Sequence, residues 1–143
     1  MPAFSEAELI AFLNRMLEAE RAGAKALLVL MEEHDRQGEA WKALRSVQAA
    51  EAHNCVLLGG LLKRAGADYS HATGEFYAKA VAVSGPRQRV EFLLRGLDWA
   101  VREFNLAMPC IDDTEVCRTL AGMRDTHVRS IEACAAVARG LGG

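Results

Sequence analysis

Apolar side chains recur at steps of three and four residues along four stretches of the chain. This spacing places them on one face of a helix and predicts four long amphipathic helices. Each apolar stripe would pack against the others, which makes the fold class all-α. The stripes consist of Leu9, Leu13, Met16, Leu27 and Met31; Leu44, Val47, Cys55, Leu58, Leu61 and Leu62; Val90, Leu93, Leu94, Leu97, Val101 and Phe104; and Val116, Leu120, Met123, Ile131 and Cys134.

Capping and breaking residues set the ends of these helices. Ser5 and Glu8 have the spacing of a capping box, so the first helix is expected to begin there. Gly38 and Gly66 flank the second helix, and Pro86 suits the first turn of the third. The predicted helices cover approximately residues 5–34, 39–64, 86–108 and 113–139.

The connections predict how the helices are arranged. A short turn near Gly38 makes the first two helices antiparallel neighbours. The connection 65–85 is long enough to run along the outside of the bundle, and residues 73–83 within it favour a short helix. The second and third long helices would then be parallel. We therefore expect one domain, residues 1–143, folded as an antiparallel four-helix bundle with a long crossover.

Polar residues interrupt or border each apolar stripe near the middle of its helix. Glu20, Glu51 and His127 lie within three of the stripes, and Asp98 borders the fourth. A buried carboxylate is costly unless it pairs with a cation or binds a metal ion. Counting along the helices from their turns places these four residues and Arg124 in one layer at mid-height. The sequence therefore predicts a polar layer across an otherwise apolar core.

Composition and charge narrow the classes of function. Half of the residues are apolar and a quarter are charged, as in ordinary globular proteins. A net charge of −2 argues against nucleic acid as the main partner. No apolar run approaches the ~20 residues that span a bilayer, and the start of the chain lacks the pattern of a signal peptide. We expect a cytoplasmic protein that binds neither nucleic acid nor membrane.

The helix pairs, the long crossover and the inward carboxylates at mid-height together resemble the ferritin-like superfamily, which includes rubrerythrins and bacterioferritins. Members of that superfamily hold two iron ions with one Glu from each of two helices and a Glu-x-x-His pair from each of the others. The resemblance spans the whole chain and is greatest to small uncharacterised bacterial ferritin-like proteins. It implies redox chemistry with oxygen or peroxide.

Four of the six ligand positions are compatible with this resemblance. Glu20 and Glu51 match the glutamates of the first two helices. His127 matches the histidine of the last pair, and Asp98 matches a glutamate shortened by one carbon. The other two positions depart from the pattern. At one, an amide, which is a poor iron ligand, replaces a histidine; at the other, a guanidinium, which cannot bind iron, replaces a glutamate. They are Asn54 and Arg124.

Two interpretations of the polar layer remain open. The first is a single iron, manganese or zinc ion bound by Glu20, Glu51 and His127, with Asp98 as a further candidate ligand. The second is a metal-free network, in which Asp98 pairs with Arg124 and the two glutamates share a proton or pair with a protonated His127. In that case the chain is a non-catalytic bundle that acts through oligomerisation or a protein partner.

The cysteines raise a further metal hypothesis. They form no CxxC pair, which argues against a zinc ribbon or a thioredoxin-like motif, and buried thiols are the ordinary expectation. Met16, Cys55 and Met123 would lie one turn from the polar layer, where thiolate and thioether groups suit Cu(I). The four cysteines are Cys55, Cys110, Cys117 and Cys134.

A histidine and several aromatic residues suggest partners. His53 lies off the apolar stripe, and an exposed histidine on a helical bundle is typical of phosphotransfer modules, but the residues after it do not fit their pattern. Large aromatic side chains would mark a partner surface if they were exposed together. Ferritin-like bundles commonly dimerise, so the resemblance implies a homodimer. The aromatic candidates are Trp41, Phe76, Tyr77 and Trp99.

Overall fold

The computed structural model describes residues 2–142 and is all-α. Met1 and Gly143, the ends of the predicted domain, lie outside the described residues. None of the helices in the described part of the chain is long and apolar enough to cross a membrane. The helices are α1 (Glu6–Met31), α2 (Glu39–Arg64), α3 (Phe76–Ala82), α4 (Pro86–Ala107) and α5 (Thr114–Gly140), with a short 3-10 turn at Met108–Cys110 between the last two.

Local hydrogen bonds explain where α1 begins and ends. The Ser5 hydroxyl accepts from the Glu8 N–H (3.1 Å), and the Glu8 carboxylate accepts from the Ser5 N–H (2.9 Å). This reciprocal pair is the capping box that the spacing of the two residues indicates. The helix ends at Met31, three residues before the expected end, because the chain tightens into turns from Leu30 onward.

The buried apolar residues form two clusters. The first halves of α1 and α5 lie in one cluster, and their second halves lie in the other. α2 and α4 contribute in the reverse order, so they run antiparallel to α1 and α5 and parallel to each other. One cluster includes Met16, Leu58, Phe104 and Leu120, and the other includes Leu27, Leu44, Leu93 and Cys134.

The crossover that connects α2 to α4 lies against α1. The Arg21 guanidinium donates to the carbonyl of Ser70 (2.9 Å). The Gly74 N–H donates to the Glu18 carbonyl (3.1 Å), and a side-chain carbon at position 74 would come within 3.1 Å of that same oxygen. These bonds hold the backbone just before α3, and so they place Phe76 over the middle of the bundle.

Between the two apolar clusters lies a layer of buried polar side chains. They occupy the middle of α1, α2 and α5, after the residues of one cluster and before the residues of the other. Groups in such a layer depend on one another for hydrogen bonds, because the apolar clusters above and below offer none. Its members are Glu20, Glu51, Asn54, His127 and Ser130.

Replacing Phe104 by Ala should lower the free energy of unfolding by about 3–5 kcal/mol, because the change leaves a cavity in the core. The ring is fully buried and packs edge-on against Phe12 and His127, with centroids 6.5 Å and 5.7 Å away. Leu106→Ala on the same helix is the control, since Leu106 is 64% exposed and should change stability by less than about 0.5 kcal/mol. Urea denaturation of both variants checks the prediction, and equal effects would contradict the assigned core.

Candidate metal centre

Three buried side chains from three helices meet in the polar layer. Glu20 on α1, Glu51 on α2 and His127 on α5 each offer one ligand atom, and these atoms lie within 4.8 Å of one another. The His127 Nε2 atom is 3.1 Å from Glu20 Oε1 and 3.5 Å from Glu51 Oε2. Each residue is at most 5% exposed. The structure therefore brings together three of the four predicted ligands.

The backbone of α5 orients the His127 ring. Its Nδ1 atom lies 2.9 Å from the carbonyl oxygen of Met123, one turn earlier on the same helix. Since a carbonyl oxygen only accepts, Nδ1 carries the proton and donates it to Met123. The Nε2 atom is then the one that faces the two carboxylates. This is the second-sphere arrangement that prepares a histidine to bind a metal ion.

Opposing effects act on the charge of His127. Burial lowers the pKa of His127, but the hydrogen bond to Glu20, the charge of Glu20 and the Met123 carbonyl together outweigh it and raise the pKa above its ordinary value. Without a metal ion, these contacts therefore favour the imidazolium more than the environment of a solvent-exposed histidine would. It can then donate through Nε2 to the Glu20 carboxylate.

The two glutamates differ in their hydrogen bonds. Glu20 Oε1 accepts from the Asn54 amide (3.4 Å) in addition to its contact with His127. Glu51 Oε2 is buried and finds no hydrogen-bond partner within residues 2–142. One imidazolium can neutralise at most one of two ionised carboxylates. The cluster is therefore short of positive charge when both glutamates are ionised, and Glu51 is the group left unsatisfied.

Gly23 makes room for the Glu51 carboxylate. A side-chain carbon at position 23 would lie 2.8 Å from Glu51 Oε1, closer than such atoms pack. Gly23 is buried in the interior of α1, where glycine costs ~0.5–1 kcal/mol relative to alanine. Sequence reasoning missed this residue. The available signal was a glycine inside a long helix, three residues after a predicted ligand.

Asp98 and Arg124 do not belong to the cluster, and this corrects two predictions. Asp98 lies at the surface and pairs with Arg102, one turn later on α4 (3.4 Å). Arg124 donates to Asn105 and pairs with Asp125, both at 3.1 Å. The expected ion pair between Asp98 and Arg124 is therefore absent. Each follows a buried stripe residue by one position, and a step of about 100° turns it away from the core.

Two adjoining cavities lead from the surface to the cluster. The inner cavity has a volume of about 60 Å³ and is lined by all three cluster residues. The outer pocket has a volume of about 460 Å³ and opens between α1, α3 and α4. The two cavities share four lining residues, two small and two aromatic. These are Ala19, Gly96, Phe76 and Trp99.

All four cysteines are free thiols, and one of them, Cys55, belongs to the set of residues suggested for Cu(I). Met16 and Met123 are fully buried in one apolar cluster, against which Cys55 packs. Burial raises the pKa of Cys55 to about 11, so its thiol stays protonated at neutral pH. The thiolate that would bind Cu(I) is thus disfavoured, and the copper hypothesis stays an untested prediction.

The remaining candidate residues lie in different environments. His53 is exposed, but phosphotransfer at this residue stays an untested prediction. Trp41 is partly buried, with Arg45 over its ring. Phe76 and Trp99 line the cavities instead of forming an exposed aromatic patch. Tyr77 is also partly buried, and a partner surface that includes these aromatic residues stays an untested prediction.

The fold and the site define an all-α helical bundle with one buried acid–histidine cluster. The model of the family described as Domain of unknown function (DUF6306) matches residues 7–136, and the chain belongs to this family. No curated protein and no solved structure matches the chain. The match includes the three cluster residues, but the family description assigns them no activity.

Substituting alanine for each of two helical glycines should distinguish the space that Gly23 leaves for Glu51 from the general effect of alanine on helix stability. Gly122→Ala should raise the free energy of unfolding by about 0.5–1 kcal/mol, because a side chain there meets nothing within 4 Å. Gly23→Ala should give a smaller gain or a loss, because the added carbon forces the Glu51 carboxylate to move. Urea denaturation measures both changes, and an equal gain at the two positions would show that Gly23 makes no space for Glu51.

Proposed function

We propose that this chain is a ferritin-like bundle that binds one divalent metal ion through Glu20, Glu51 and His127. The observation that carries the proposal is the buried Glu51 oxygen, which has no hydrogen-bond partner in the described residues although it lies 3.5 Å from the His127 ring. Two carboxylates and one imidazole are ligands that suit iron, manganese and zinc in the divalent state. An ion among them would supply the missing positive charge.

The direction of the helices supports the ferritin-like part of the proposal. α1 and α5 run one way and α2 and α4 the other, with the long connection between α2 and α4. The carboxylates point inward at mid-height from α1 and α2, as the superfamily resemblance implies. This support comes from the arrangement of the helices alone, because the matched family has no described function or superfamily.

The donor set fits one metal ion and not two. Within residues 2–142, Glu20, Glu51 and His127 are the only group of three or more acidic, histidine or cysteine ligands close enough to hold an ion. Asn54 takes the place of a histidine and donates its amide to Glu20. Asp98 lies outside the cluster. A complete two-iron centre therefore lacks its second set of ligands.

Each cluster residue would have a distinct part in holding the ion. His127 is oriented by Met123, Glu20 is oriented by Asn54, and Glu51 contributes the unsatisfied oxygen. Iron or manganese at this site would supply redox chemistry with dioxygen or peroxide, as the superfamily resemblance implies. The two apolar clusters enclose the ligands from above and below, and the inner cavity leaves room for a small molecule beside them.

A non-catalytic bundle with a structural polar layer is the second candidate, and the contacts of Glu20 favour it. Glu20 has both a cationic partner and an amide donor, so it is satisfied without a metal ion. The same network leaves Glu51 unsatisfied. The metal proposal accounts for both glutamates, and for this reason we prefer it. The homodimer stays a prediction under either function.

Metal analysis tests the proposal directly. Protein purified without chelator, and then loaded in turn with iron, manganese and zinc, should retain about one equivalent of at least one of these metals. His127→Ala and Glu51→Ala should each lower the metal affinity by at least tenfold, because each removes one of three ligands. Inductively coupled plasma mass spectrometry gives the stoichiometry, and competition with a chromogenic chelator gives the affinity.

Asp98→Ala is the matched control. It removes a carboxylate that the sequence suggested as a ligand but that the structure places on the surface. This variant should retain the full equivalent of metal. Failure of the wild-type protein to retain any of the three metals would refute the proposal and leave the structural layer. Two equivalents would refute the single-ion site.

A further inference from the structure

We propose that Phe76 is the gate residue of a side entrance to the cluster, and that this entrance admits metal ions and ligands of two or three non-hydrogen atoms. The inference rests on the proposed function and names the class of ligand that reaches that site. The entrance lies between α1 and α4, beneath the start of α3, where the outer pocket and the inner cavity share their walls.

The cluster needs an entrance because its three side chains are almost fully buried. The inner cavity touches all three of them, and the outer pocket touches none. Of the four residues common to both cavities, Ala19 and Gly96 are small and leave a gap between α1 and α4. Phe76 and Trp99 are the bulky residues that narrow this gap.

The Phe76 ring occupies space that Gly96 leaves free. A side-chain carbon at position 96 would lie 2.6 Å from the ring, so only glycine allows the ring to sit there. On its other side the ring stacks on Phe92, with centroids 5.1 Å apart and an angle of 13° between the planes. The ring is thus held in place by packing alone, and turning its two side-chain torsions would move it aside.

The backbone beside Phe76 is more firmly held than its ring. Hydrogen bonds from α1 secure the crossover up to Gly74, and the Arg89 guanidinium donates to the carbonyls of Val81 (2.9 Å) and Val83 (2.6 Å) at the far end of α3. Both ends of the segment are therefore tied to the long helices. Opening by rotation of the ring requires fewer broken contacts than opening by displacement of α3.

The size of the inner cavity sets the class of ligand. An apolar cavity that accepts benzene has a volume of ~150 Å³, so a cavity of about 60 Å³ suits molecules of two or three non-hydrogen atoms. Dioxygen, hydrogen peroxide and azide are of this size, whereas an organic substrate is not. The outer pocket carries both cationic and acidic side chains, so selection by charge is weak and selection by size dominates. These charged residues are Arg15, Glu18, Glu75, Lys79 and Arg95.

The first test measures how fast zinc leaves the site. In Phe76→Ala, transfer of bound Zn²⁺ to excess EDTA should be about tenfold faster or more, because the ring no longer narrows the entrance. A tenfold change corresponds to a barrier lower by ~1.4 kcal/mol. The affinity for Zn²⁺ should change much less, since Phe76 supplies no ligand. Tyr77→Ala removes a similar ring from the same helix without widening either cavity, and it should leave the rate unchanged. Equal rates in wild type and Phe76→Ala, or equal acceleration by Tyr77→Ala, would overturn the gate.

The second test needs no metal ion. Diethyl pyrocarbonate is much larger than the inner cavity and acylates only the neutral imidazole, so the reaction is run at alkaline pH. It should modify His127 slowly in the metal-free wild-type protein and about tenfold faster in Phe76→Ala. Mass spectrometry locates the modified residue, and the exposed His53 serves as the internal reference. Modification of His127 at the same rate in both proteins would overturn the gate. If the wild type binds no Zn²⁺, the proposed function fails, and this second test still decides whether Phe76 closes the entrance.

Discussion

The structure depends on how a second carboxylate is accommodated beside one that is already satisfied. Glu20 contacts both His127 and Asn54. Glu51 lies in the same layer, and one of its buried oxygens has no hydrogen-bond partner in the described residues. Apolar clusters lie on both sides of the layer, so no further polar side chain from above or below compensates this oxygen. A cation between the three side chains would supply positive charge to the Glu51 oxygen, whereas a metal-free core leaves that oxygen without a hydrogen bond.

Two glycines inside long helices make room for side chains from other helices. Gly23 and Gly96 interrupt long helices, and each leaves space that another side chain fills, the Glu51 carboxylate in one case and the Phe76 ring in the other. Glycine in a helix interior is unfavourable, and at these two positions the contacts with Glu51 and Phe76 account for it. Gly122, whose added side chain would meet nothing, has no such explanation in the structure.

The sequence was informative where one helix alone decides the outcome. Glu20, Glu51 and His127 interrupt apolar stripes, and helical periodicity is enough to place them inside. Asp98 only borders its stripe. It follows the buried Leu97 by one position, which places it on the surface of α4, where it forms an ion pair with Arg102. The cavities were not predictable, because they depend on how the crossover lies on α1 and where Phe76 lands on α4. Those contacts join residues far apart in the chain, and no periodic pattern encodes them.

Under the metal-binding proposal, Glu51 is retained for a ligand at the expense of stability, and one substitution tests this. Unfolding of wild type and Glu51→Gln should be compared without metal and with saturating Zn²⁺. We predict that Glu51→Gln is more stable by about 1 kcal/mol or more without metal, because it replaces one of two buried carboxylates that share a single imidazole by a neutral amide. With Zn²⁺ the order should reverse, since a ligand at 100 times its Kd stabilises the protein that binds it by ~2.7 kcal/mol. A Glu51→Gln protein that is less stable than wild type without metal would contradict the account and identify Glu51 as part of a structural network.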